Sequence, residues 1–300
     1  MTRCVPNARL LLGLPAFLCT ACWVTDADRE TWAENGGWGS PSALRSDWAA
    51  VAAGTFHTCG LHDDGTAECG CHGAADGDAR CTAPEGSFVS IHAYDNHTCA
   101  LADDGQVTCW GDGELAAPAG VFTEVDVGDY AACGVADSGW LLCWGFADPF
   151  RLVAQDTLVT NIAVGPDGNV CGLDDEGAIH CWCDVYDFVC EPPAGGFVSL
   201  SLGCEFGCAL AEDGAVTCWG GGCGQDVGQR DPPTNLRTLE LESKGGCGIT
   251  NDSEVACWGS GDLEQAPGGP FVDVDRGRSQ ACAVGVDGSM NCWGRDATSP

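Results

Sequence analysis

Seven times along the chain, two cysteines stand ten residues apart: Cys59 and Cys69, Cys99 and Cys109, Cys133 and Cys143, Cys171 and Cys181, Cys208 and Cys218, Cys247 and Cys257, and Cys282 and Cys292. The first cysteines of successive pairs lie 34 to 40 residues apart. A spacing kept seven times marks an array of short structural units. In the second unit, turning the chain about Asp104 sets Ala102 opposite Gln106, Leu101 opposite Val107 and Cys99 opposite Cys109. Asp103-Asp104-Gly105 is then a three-residue hairpin loop. Counting outward, the cysteines fall on a non-hydrogen-bonded pair, where opposed Cα atoms come closest and a cross-strand disulfide can form. Glycine recurs at the third loop position as Gly65, Gly105, Gly139, Gly177, Gly214 and Gly288, where a left-handed backbone is required. The sixth unit has Ser253 there, so its hairpin is expected to be the most strained or to use another turn. Each staple would constrain about eleven residues, worth roughly 2–3 kcal/mol in the chain-entropy account.

An alternating apolar segment leads into each pair, as in Phe88-Val-Ser-Ile91, Phe122-Thr-Glu-Val125, Phe197-Val-Ser-Leu200 and Phe271-Val-Asp-Val274. Each unit therefore offers three strands: the leading one, one around the first cysteine, and one ending in Cys-Trp-Gly. A three-stranded sheet by itself buries too little, so adjoining units must cover one another's faces. With 44 glycines and two methionines in 300 residues, the composition is that of a turn-rich all-β protein.

The 12 Lys and Arg against 44 Asp and Glu give a formal net charge of −32. Such a surface repels nucleic-acid phosphates and anionic membranes, and it suits a basic partner or divalent cations. The alternative is that the acids keep a β-rich surface soluble and its edges apart. The 23 cysteines point to an oxidising compartment. Arg3 and Arg9 with the apolar run Leu10–Leu18 have the form of a signal peptide, residues 1–21, too short to cross a bilayer. Thr20-Ala21 before Cys22 resembles a bacterial lipobox, in which Cys22 would be lipidated, although Cys19 stands where the motif prefers Leu. Ordinary signal cleavage is the other reading. Residues 22–46 read as a flexible tether and 47–300 as the repeat domain. The chain is thus expected to be exported, either envelope-anchored as a lipoprotein or secreted or periplasmic, with membrane contact only through the lipid.

The pattern His97-Thr-Cys-Ala-Leu101, then Asp104-Gly-Gln-Val-Thr-Cys-Trp-Gly111, with a Val-x-x-Gly strand such as Val51-Ala-Ala-Gly54 before it, resembles the regulator of chromosome condensation repeat. The likeness is to its short, cysteine-containing bacterial type, and it extends over roughly residues 46–295. It implies a seven-bladed β-propeller of short, disulfide-stapled blades, as in a secreted β-lactamase inhibitory protein of the same kind. The nucleotide-exchange and chromatin roles of the eukaryotic family do not carry over to an exported, acidic chain.

Beside the leader's Cys4, Cys19 and Cys22, six cysteines stand outside the pairs. Their placement suggests three more bridges: Cys71 with Cys81, Cys183 with Cys190, and Cys204 with Cys223. The rival is a metal site at Cys69, Cys71, His72 and Cys81, but disulfides displace zinc thiolates in an oxidising compartment. No metal or cofactor is expected. The Asp-Asp-Gly turns lack the ligand spacing of a calcium loop. His57 and His97 share a position filled elsewhere by Ala131, Asn169, Phe206, Gly245 and Gln280, which reads as structural. His62, His72, His92 and His180 follow no shared pattern. Trp110, Trp144, Trp182, Trp219, Trp258 and Trp293 follow the second cysteine and are read as packing between blades, against the alternative of a ligand-lining ring.

No catalytic residue is assigned. The expected function is a non-catalytic, monomeric scaffold that binds a protein or peptide, with specificity in the insertions at residues 70–83 and 182–193. A secreted enzyme inhibitor is the alternative. A polysaccharide-acting enzyme ranks below both, since no paired acids are placed for it.

Overall fold

The computed structural model describes residues 46–71, 78–112, 115–145, 153–154, 157–166, 168–183, 188–221, 224, 227–259, 263, 266–295, 297 and 300. The leader, Cys22 and nearly all of the tether lie outside the described residues, as do His72 and Cys223.

Seven antiparallel sheets succeed one another along the chain, each made of a leading, a middle and an outer strand. Blade 1 is Trp48–Ala53, His57–His62 and Ala67–Cys71; blade 2 is Phe88–Tyr94, His97–Ala102 and Val107–Gly111; blade 3 is Phe122–Val127, Ala131–Ala136 and Leu141–Gly145. Blade 4 is Asn161–Val164, Val170–Leu173 and Ile179–Trp182; blade 5 is Ser199–Gly203, Phe206–Leu210 and Val216–Gly220. Blade 6 is Glu240–Glu242, Gly245–Ile249 and Val255–Gly259; blade 7 is Phe271–Arg276, Gln280–Gly285 and Met290–Gly294. Blade 3 gains a fourth strand, Val153–Ala154, which the repeat pattern does not contain.

The hairpin geometry follows from the ten-residue spacing. Leu101 pairs with Val107 and Cys99 with Cys109, and the Ala102 N–H donates to the Gln106 carbonyl at 2.9 Å. The cysteines are joined within each blade, with Cα atoms 4.0–4.1 Å apart, the close approach of a non-hydrogen-bonded pair. The six loop glycines have φ between 73° and 84°. Ser253 has φ 65° and closes the same turn, its N–H donating to the Thr250 carbonyl at 2.9 Å. The sixth hairpin therefore keeps the turn and places an L-residue in the left-handed region.

The apolar core lies between blades. Among the described residues seven buried clusters occur, one at each seam; each joins the disulfide face of one blade to the leading strand of the next, and six of them include the tryptophan that follows the second cysteine of that next blade. Between blades 5 and 6, for example, Phe206, Cys208 and Leu210 meet Leu236, Leu239, Leu241 and Trp258. The first cysteine of every pair is fully buried. The six tryptophans therefore pack into the seams. Four also pin the connection leading into their blade: the indole N–H of Trp144 donates to Leu115 O, Trp219 to Val189 O, Trp258 to Gln229 O and Trp293 to Leu263 O, at 2.8–3.2 Å.

The seventh seam closes the ring. Trp48 and Val51 of blade 1 pack on Cys282 and Val284 of blade 7. Trp48 N–H donates to Gly288 O, and the Gln280 amide reaches Gly54 O and His57 O. Pairing 222 to 240 residues apart in sequence makes the molecule a closed seven-bladed propeller.

Candidate functional site: the central channel and its two faces

The leading strands are innermost, and residues from six of them line a central cavity of about 40 Å³, enough for a few waters. The residue opposite the first cysteine of each blade forms one ring: Ala52, His92, Asp126, Ala163, Ser201, Glu240 and Asp275, of which Glu240 takes this position by pairing with Cys247. Two residues earlier in blades 3 and 7 stand Glu124 and Asp273. The channel wall is thus acidic.

Most of these carboxylates also hold the ring together. Neighbouring leading strands do not form a ladder, so their backbone N–H groups need other acceptors. Asp273 and Asp275 accept from Val51 N–H and Ala53 N–H at 2.8 and 2.7 Å, across the closing seam. Glu124 accepts from Ile162 N–H and the Asn161 amide, and Asp126 from Val164 N–H at 2.7 Å. Ser201 Oγ serves Leu241 N–H in the same way at 2.9 Å. Burial raises the pKa of all five channel acids. It brings Glu124 up to about 7, and Asp275 likewise to about 7 with Asp273 and Asp126 adding repulsion. Burial also raises Asp126 and Asp273. Glu240 is the exposed one of the five, yet the surrounding protein, then the charges of Asp275, Asp126 and Asp273, push it well up.

At one end of the channel Tyr94 reaches from blade 2 to blade 6, its hydroxyl donating to Glu242 Oε1 at 3.2 Å and lying 3.3 Å from Ser243 Oγ. This is the face where leading strands turn into middle strands. The first insertion also folds onto it. Arg80 pairs with Asp78 at 2.7 Å, donates to Asn96 Oδ1 at 2.8 Å and lies over the Phe56 ring at 5.8 Å. The other end is the face of the Asp-Gly hairpin turns.

The insertion cysteines are joined as Cys71 to Cys81 and Cys183 to Cys190, with Cα atoms 5.5 and 6.0 Å apart. Cys204 is disulfide-bonded, and Cys223 is outside the described residues. His57 is fully buried with Nε2 2.7 Å from Thr98 Oγ1, across the seam between blades 1 and 2. Burial, then the Arg80 charge, lowers it to about 4, so it is neutral and structural. His62 is buried against Trp48, with rings 3.8 Å apart, and bonds Asp47. His92 is the histidine that the channel recruits, 3.6 Å from Asp126. His180 meets Asp174 at 2.7 Å on an exposed hairpin.

The channel acids escaped the sequence reading because alternation alone marks one side of a strand as polar. It does not say whether that side faces bulk solvent or the axis of a ring. Aligning the leading strands on the first cysteine would have put Asp126, Glu240 and Asp275 in one column.

Closed ring, three-stranded blades and a cysteine hairpin in every blade define the class: a seven-bladed β-propeller of disulfide-stapled blades. The model for the Regulator of chromosome condensation (RCC1) repeat matches residues 88–115, which is blade 2 with its following connection. Among solved structures, the chain is similar to the CRINKLY WD40 ectodomain of the Arabidopsis thaliana receptor kinase ACR4 (24% identity, 83% of this chain, 96% of that one, TM-score 0.68). It is also similar to the ectodomain of the Physcomitrella patens receptor kinase CR4 (22%, 83%, 74%, TM-score 0.69). A third similar structure is Prp20p from Saccharomyces cerevisiae, described with its binding to Gsp1p and histones (15%, 69%, 72%, TM-score 0.56). At these identities the likeness is one of fold. No curated protein sequence matches the chain significantly.

Proposed function

We propose that this protein is an exported, non-catalytic scaffold that binds a protein or peptide. The observation that carries the reading is the closed, disulfide-stapled ring itself, a rigid frame that leaves loops on both faces to vary. Similar propellers serve as receptor ectodomains or bind proteins, which supports the same reading by analogy of fold. Residues 1–21 act as the signal peptide, Cys22 carries the lipid and residues up to 46 form the tether. Specificity lies in the insertions at residues 70–83 and 182–193, the first of which is braced by Arg80 and the Cys71–Cys81 bridge.

The test uses the mature chain to capture its partner from host envelope proteins, beside variants lacking either insertion. Each deletion should leave the melting transition intact and lose the captured protein. Equal capture by both deletion variants would remove the insertions from the function. Labelling with radioactive palmitate separates the lipidated form from a simply cleaved one, and a Cys22→Ala chain should take up no label.

A further inference from the structure

The turn face of the ring carries an exposed rim that the scaffold does not use. In every blade a residue at the start of the leading strand, or up to four positions before it, is buried in a seam: Trp48, Phe88, Phe122, Val159, Phe197, Leu236 and Phe271. The residue after it is exposed in all seven blades. In blades 1, 2, 3 and 7 a β-bulge falls at this step, between Phe88 and Ser90 for example, and a bulge re-aims a side chain out of the sheet. Blades 2, 5 and 7 put valine there, with Val89 61%, Val198 55% and Val272 47% exposed. Val121 and Leu158, one residue before the buried position, are 46% and 57% exposed and add to the rim. Five of the seven blades thus turn an aliphatic group outward on this face.

The charge around the rim selects the occupant. The hairpin turns on the same face carry Asp63, Asp64, Asp103, Asp104, Glu212 and Asp213. Arg237, at the rim position of blade 6, is tied to the Phe271 carbonyl at 2.5 Å. We infer that the turn face docks a basic amphipathic polypeptide segment, whose apolar side chains cover the valine rim while its Lys or Arg side chains face the hairpin acids. The inference deepens the protein-binding reading above by adding a face and a partner chemistry, and it does not rest on the insertions.

The test uses a labelled peptide of alternating Lys and Leu, with Lys–Ser and Glu–Leu peptides as comparisons. Fluorescence anisotropy follows binding to the folded chain at physiological salt. The Lys–Leu peptide should bind more tightly than Lys–Ser, and Glu–Leu should not bind. The triple variant Val89→Ser, Val198→Ser, Val272→Ser keeps every charge, and the changes are at exposed positions. It should fold with unchanged melting and weaken the Lys–Leu peptide by about tenfold or more, with little effect on Lys–Ser. Tyr130→Ser, on the opposite face, should leave the affinity as it is. Unchanged Lys–Leu affinity in the triple variant, or an equal loss in Tyr130→Ser, would overturn the inference. Partner capture by the insertion variants is a separate readout, so either reading can fail while the other stands.

Discussion

At the scale of single residues, the sharpest constraint is the third position of each hairpin loop. Six glycines and Ser253 share one left-handed conformation, which costs an L-residue about 1–2 kcal/mol, partly offset because glycine loses more chain entropy on folding. Ser253→Gly should therefore stabilise the protein by roughly 0.5–1 kcal/mol, read as a higher denaturant midpoint at unchanged slope. Gly177→Ala should do the opposite and do it more strongly. Besides its φ of 76°, an added Cβ there would strike the Phe197 carbonyl oxygen of the next blade. A loss above about 2 kcal/mol is expected, and a loss no larger than that of an exposed-loop substitution would contradict the seam contact. The tryptophans make a second kind of residue-level tie. Trp219→Phe keeps most of the ring but removes the indole N–H that donates to Val189 O at 2.8 Å, at a cost of about 1 kcal/mol by urea unfolding.

Among elements, the stapled hairpin is the unit that repeats. Each bridge closes a loop of about eleven residues and lies in the wall of a seam, so removing one both loosens the unfolded chain and disturbs the packing. The pair Cys99→Ala, Cys109→Ala should lower stability by about 3 kcal/mol or more, while mass spectrometry of a non-reduced digest should still recover local links in the other blades. Links scrambled between blades would mean that the register does not direct oxidation. Most of this was legible beforehand. The spacing of ten specified loop length, register and the facing of the sulfurs, because hairpin geometry is local and needs no partner. The fourth strand in blade 3 was not legible, since two residues of extended chain carry no periodic signal.

For the whole molecule, the channel acids link stability to pH. Glu124 and Asp275 have folded pKa values of about 7, above the ordinary carboxylate value of about 4. The folded state therefore holds more protons than the unfolded chain between these limits, and stability falls as pH rises from about 4 through 7. His57 works the other way. Lowered to about 4, it favours folding above 6.5 and loses that contribution as pH falls. The raised acids outnumber it, so the melting temperature should be higher near pH 5 than at pH 8. Asp275→Asn, which retains an acceptor for Ala53 N–H, should narrow that difference. An unchanged pH profile in Asp275→Asn would assign the dependence to the net charge of −32 instead.

Each repeating unit is specified within its own stretch of chain: three strands, a tight turn that holds glycine in six of the seven, a cross-strand pair of sulfurs and, in six of the seven, a tryptophan after it. These depend on spacings within about forty residues of chain, where hydrogen-bond period and turn chemistry act directly. The ten-residue cysteine pair that defines the unit is also what lines each seam, which no spacing could state. Ring closure sets the rest: the leading strand is innermost, Asp273 and Asp275 lock the last blade to the first, and exposed valines stand on the hairpin-turn face. Those facts depend on ring closure, which brings together residues 222 positions apart. A polar face on a strand reads the same in sequence whether water or the opposite wall of a ring lies beyond it.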